Sequence, residues 1–168
     1  MPLSMYQASV PVFTRGLGVL STLLDKTVAH AEAKKIEPAA FISLRLTVDM
    51  YPLGRQVQAA SDAAKSGAAR LAGIEPPSLP DTETTFPELQ ARIAKTVEFL
   101  KSVEPAKIDG SEARVIILKM RAGELKIPGQ NYLLGFAIPN FFFHITTAYD
   151  ILRQNGVPIG KLDYLGGF

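Results

Sequence analysis

The sequence has no cysteine, no tryptophan and only 2 histidines. Without cysteine there is no disulfide, no thiolate metal site and no cysteine nucleophile. This fits a reducing compartment. Lys and Arg number 18 against 16 Asp and Glu, a formal charge of +2. That excess is too small to draw the chain to nucleic acid or to an anionic membrane. Like charges never cluster in long runs. No stretch approaches the ~20 unbroken apolar residues of a membrane span. The longest candidate, 132–143, is broken by Gly135, Pro139 and Asn140. The opening residues, Met1-Pro-Leu-Ser-Met-Tyr-Gln, show no basic segment leading into an apolar one, so no signal peptide is expected. Phosphate-loop and dinucleotide fingerprints are also missing. These absences predict a soluble cytoplasmic domain with neither nucleic acid nor membrane as partner.

What is present is helical periodicity. At 168 residues and 47% hydrophobic, the chain reads as one domain, 1–168, with enough apolar surface for a sizeable core. From Ser4 to about Ala33, Phe13, Leu17, Leu20, Leu24 and Val28 repeat at three- and four-residue steps, one buried face of a helix. Pro11 predicts a kink there, or a start near Ser9. His30, close to the end, reads as a solvated surface residue. Residues 37–50 form a short helix or an irregular connector. A second, alanine-rich helix spans 52–72 and stops at Gly73. A stiff proline-rich connection follows. Thr85 and Glu88 make a capping box for a third helix running to about Val103, which Pro105 ends.

Residues 114–120 and 124–128 are β-rich and flank Arg121-Ala-Gly123, which predicts a hairpin with a three-residue, bulged connection. Gln130 to Asn155 reads as a fourth helix, bent at Pro139. The tail is expected to be coil, with Ile159, Leu162, Tyr164, Leu165 and Phe168 packing back. Four apolar stripes must hide against one another, so the fold class is all-α: a four-helix bundle with a small β-hairpin between helices three and four.

The chemistry-bearing stretch is Pro139–Gly156. Phe141, His144, Ala148, Ile151 and Leu152 share a face, and Asn140 sits one turn before His144. A polar pair therefore points toward the core. Tyr51, Arg55, Gln56, Thr147 and Tyr149 are candidates for the same pocket, with Arg55 placed to meet an anion. Phe141, Phe142 and Phe143 cannot all face one core, so one of them meets a helix edge or a second subunit.

Residues 143–165 resemble the end of the DinB/YfiT-like helical bundles. The whole chain resembles a bacterial domain family of unknown function placed beside them. The resemblance rests on Ala8-Ser-Val-Pro-Val-Phe, Asp49-Met-Tyr-Pro-Leu-Gly-Arg-Gln, Glu75-Pro-Pro, Tyr132-Leu-Leu-Gly-Phe and Pro139-Asn-Phe-Phe-Phe-His. It implies a DinB-like bundle. DinB-like proteins are metal-dependent, and some are thiol-dependent transferases. Their ligands are a histidine of helix two and a pair four residues apart on helix four. By the resemblance these positions fall on Asp49, Asn140 and His144. The implied metal site is therefore degenerate. Zinc and nickel want imidazole, thiolate or carboxylate, and this set offers one strong nitrogen donor. It implies at most a weakly held divalent metal and no firm cofactor. The expectation is a homodimer, non-catalytic or binding a small molecule. The alternative is a metal-dependent thiol transferase or hydrolase-like enzyme working around His144.

Overall fold

The computed structural model describes residues 2–120 and 123–167. The first long helix, α1, spans Val10–Lys34. Pro11 sits in its first turn, where a backbone N–H has no partner to lose. The helix therefore starts at the proline instead of kinking around it, and Met5–Ser9 forms a separate turn. Ser9 Oγ donates to the Met5 carbonyl at 2.7 Å and ties that turn down. Lys35, in the left-handed conformation at φ 57°, closes α1. The connector that follows holds a 3-10 turn, Pro38–Ser43, whose Phe41 is buried. His30 is half-buried and meets the Phe41 ring edge-on at 6.2 Å, so it is not the fully solvated residue expected.

Helix α2 spans Leu53–Ala72 and ends at left-handed Gly73. Helix α3 spans Phe86–Ser102, and the capping box is formed: Thr85 accepts from the Glu88 N–H and Glu88 accepts from the Thr85 N–H at 2.9 Å. A single turn, α4, covers Pro105–Ile108.

Strands β1 (Val115–Met120) and β2 (Gly123–Pro128) pair antiparallel, with Ile117 opposite Lys126 and Met120 opposite Gly123. Gly123 therefore closes the ladder instead of ending a three-residue loop. Arg121 and Ala122, the rest of the expected connection, lie outside the described residues. Ile116 and Leu118 face inward, while Val115 and Ile117 stay exposed.

The fourth long element is helical throughout but not uniform. Helix α5, Gly129–Tyr132, passes into a π turn, Leu133–Ala137, and then into α6, Ile138–Gln154. Pro139 explains the wide turn. It has no N–H, and its ring crowds the carbonyl four residues back. At the widened turn the Ile138 N–H reaches back five residues to Leu133. The tail was expected to be coil, but Lys161–Leu165 forms one more turn, α7, after Gly160. Ile159 is buried there, whereas Leu162 is 81% exposed and does not pack back. Phe168 lies outside the described residues.

The four long elements close a square. Helix α2 lies between α3 and α6, and α1 touches both from the far side. One apolar cluster runs between them, including Phe13, Leu17, Leu20 and Leu24 of α1, with Leu89 of α3 and Phe141 of α6. Phe13 meets Phe141 edge to face at 5.2 Å. Burial of each ring is worth about 1.5–3 kcal/mol, and the ring contact adds ~1 kcal/mol. Gly16 permits this approach, since a Cβ there would stand 2.5 Å from Phe141 Cε1. Of the three phenylalanines, Phe141 is buried, Phe142 half-buried and Phe143 55% exposed. Among the described residues no helix is long and apolar enough to cross a membrane.

Candidate functional site

An open groove of about 290 Å³ runs along the seam between α2 and the α5–α6 segment. Arg55, Ala59, Asp62, Ala63, Ser66 and Arg70 form its α2 wall. They recur at three- and four-residue steps, one stripe of a helix. Tyr51 stands at the mouth. The facing wall is Tyr132, Phe136, Ala137, Asn140 and His144. Alanines and a serine leave the floor low, and the Tyr132 and Phe136 rings stack at 5.8 Å and 23° along one side.

His144 is held by its neighbour on α2. Its Nδ1 lies 2.8 Å from Gln56 Oε1. Gln56 is 1% exposed, and its Nε2 donates to the Tyr51 carbonyl at 3.1 Å. A carbonyl can only accept, so the amide nitrogen belongs on that side and Oε1 faces the imidazole. The proton of neutral His144 then sits on Nδ1, and Nε2 remains an acceptor. Burial lowers the His144 pKa below 6.5, and the Arg55 charge lowers it further. Both effects favour the neutral ring.

The sequence-predicted residues divide. Tyr51, Arg55, Asn140 and His144 line one groove, and Gln56 sits directly behind His144. Thr147 does not line it. It is one turn deeper, 4% exposed, and donates to the Phe143 carbonyl at 2.7 Å. Tyr149 is turned toward the tail, edge-on to Tyr164 at 5.8 Å. Asp49 is exposed, in the turn before α2, and is not part of the groove wall. Asp62, Ser66, Arg70, Tyr132 and Phe136 escaped sequence reasoning. The α2 stripe ending in Arg55 and Arg70 was the available signal.

The donor set does not fit a transition metal. His144 supplies one imidazole and Asn140 a neutral amide. The groove's carboxylate, Asp62, is engaged by Arg92 at 2.8 Å and Lys65 at 3.0 Å. Among the described residues no three His, Cys, Asp or Glu side chains converge as a metal would require.

Beside the groove lies a second polar cluster. Arg92 of α3 is 2% exposed. Its guanidinium holds Asp62, Asp81 at 3.0 Å and Glu83 at 3.0 Å, and donates to the Pro80 carbonyl at 3.1 Å. Burial alone would raise the Glu83 pKa, but hydrogen bonds from backbone, Arg92 and Gln58, with the Arg92 charge, bring it below 4.5. Arg55 pairs with Asp81, so the cluster reaches the groove's edge. It pins the proline-rich strap, 75–84, across α2 and α3.

No curated protein matches the chain. A crystal structure described as a DinB family member from Shewanella denitrificans superposes with a TM-score of 0.90 at 40% identity, covering 97% of this chain and 92% of that one. Residues 5–165 match the family model of a domain of unknown function, DUF1993. A bundle of four long helices, a hairpin before the last of them, and a match over nearly the full length lead to one conclusion: the chain belongs to the DUF1993 family and has the DinB-like fold.

Proposed function

We propose that the chain binds a small organic ligand in the α2–α6 groove, and that it does so as a non-catalytic homodimer with a degenerate metal site. One observation carries this reading: Gln56 and the Tyr51 carbonyl fix His144 so that Nε2 is left as an acceptor in an open groove, with no second strong donor free beside it. A neutral, oriented imidazole next to Asn140 suits recognition of a ligand's O–H or N–H. Thermal-shift screening of small molecules checks it. Ligands should stabilise the wild type and fail to stabilise Ala63→Phe, which fills the floor. A screen in which nothing saturates sinks the reading.

The dimer rests on apolar surface. Leu134, Phe136 and Phe143 are 53%, 37% and 55% exposed on the π turn and α6. Light scattering should report a dimer, and Phe143→Ser should shift it to monomer.

The second reading is a metal-dependent thiol transferase or hydrolase-like enzyme. Gln56 favours it in one respect, since metal-bound imidazoles are oriented by a partner on the other nitrogen. Stoichiometric zinc or nickel retained through purification and lost in His144→Ala would decide for it.

A further inference from the structure

The groove's two ends are chemically unlike. At the His144 end the cation, Arg55, already has Asp81 as its counter-ion and lies 5.4 Å from the Tyr51 ring centroid. At the other end Arg70 has a single partner among the described residues, Tyr132. Its Nη1 donates to the Tyr132 hydroxyl at 3.0 Å, and its guanidinium carbon lies 5.8 Å from that ring's centroid. Tyr132 is 1% exposed and cannot swing away, so it holds the guanidinium in place. The remaining N–H donors of Arg70 are unspent, and a carboxylate fits their fork.

Between these ends the lining is apolar: the Tyr132–Phe136 stack on one side, Ala59 and Ala63 beneath. The length follows from the helix. Gln56, behind His144, and Arg70 are roughly 21 Å apart in rise along α2. Both side chains lean toward the helix N-terminus, so the guanidinium and the imidazole stay roughly 20 Å apart.

Building on the groove as a small-ligand site, we propose that its ligand is an elongated organic carboxylate. The carboxylate sits on Arg70, an unbranched or flat apolar body lies along Tyr132 and Phe136, and a hydroxyl at the far end donates to His144 Nε2. Three probes separate the ends: 10-hydroxydecanoate carries both groups, decanoate lacks the donor, and 1,10-decanediol lacks the charge. Calorimetric titration of the whole chain should show 10-hydroxydecanoate binding about tenfold or more tightly than the diol, the usual loss when a charge-assisted hydrogen bond is removed. Arg70→Gln, at an exposed position, should erase that gap by weakening 10-hydroxydecanoate far more than the diol. His144→Leu should erase the smaller gap between 10-hydroxydecanoate and decanoate. Equal binding of acid and diol, or a gap that survives Arg70→Gln, overturns the carboxylate assignment while the groove stands. If no probe saturates on the wild type, both the assignment and the groove fall together.

Discussion

Arg92 is buried and His144 half-buried between helices of this bundle, and the two are treated differently. Arg92 is surrounded on both terminal nitrogens by Asp62, Asp81 and Glu83. His144 has one ring nitrogen satisfied by Gln56 and the other turned to a groove. The first arrangement is closed at its charges: each is answered from within the chain, although the buried Arg92 Nε has no hydrogen-bond partner among the described residues. The second is half-answered, and the unanswered half borders open space. A cation whose charge is met on both terminal nitrogens contributes structure. A neutral acceptor held still but left unpaired is what a binding site requires. The contrast separates the residue that holds the fold from the residue that faces a ligand.

Breaking the closed cluster should have the largest effect. Arg92→Met strands three carboxylates around an apolar side chain, and removing one member of a buried ionic group costs ~3–5 kcal/mol. Asp62 and Asp81 are 37% and 36% exposed and keep some water, which places the loss near ~3 kcal/mol. Urea denaturation would measure it. A loss below ~1 kcal/mol would mean that the cluster is decoration. An apolar substitution at the open site should cost less. His144→Leu leaves the buried Gln56 Oε1 without its partner, a loss of ~1–2 kcal/mol, and removes the advantage of a ligand's hydroxyl without abolishing binding.

Acid should separate the two sites along the pH axis. Glu83 has a folded pKa below its ordinary 4.5. Its stabilisation is present above the unfolded value and fades as pH falls through the folded one. His144, lowered below 6.5, resists the proton that the unfolded chain accepts, so stability also falls as pH drops below 6.5. His144→Gln should flatten the stability curve just below pH 6.5, and Glu83→Gln should flatten only the acid limb below 4.5. Chemical denaturation across that range reads both.

The smallest effect joins the two regions. Arg55 touches Asp81 of the cluster and bears on His144 by charge. Its pair with Asp81 is about one-third exposed on each side, so Arg55→Gln should cost under ~1 kcal/mol. The His144 titration followed by NMR should nonetheless move upward, because a like charge has been removed. An unmoved titration would disconnect the two sites.

The bundle was readable because it is built from local periods. The stripe Phe13, Leu17, Leu20 and Leu24 and the Thr85–Glu88 capping box each lie within a few turns of chain. The Asn140–His144 pair was legible for the same reason, being one helical turn. Arg92 was not. It falls on α3's own apolar stripe, between Leu89 and Thr96, and its partners come from α2 and from a proline-rich strap with no period of its own. Thr147 is turned about 60° around the helix from His144. At three residues from His144 it turns inward and bonds back to Phe143. The resemblance assigned Asp49 to helix two, but Pro52 starts that helix only after Asp49 has been left in a turn.

The π turn at Leu133–Ala137 sets the phase of everything beyond it. In an unbroken α-helix, Tyr132 and His144 would be out of register by about 120°, since each residue advances ~100°. One surplus residue, absorbed in the widened turn, takes up most of that angle and lets both side chains overlook a single trough. Pro139→Ala restores the missing N–H and would let the wide turn relax to α geometry with every residue kept. The arginine end and the imidazole end would then face different quarters of the molecule.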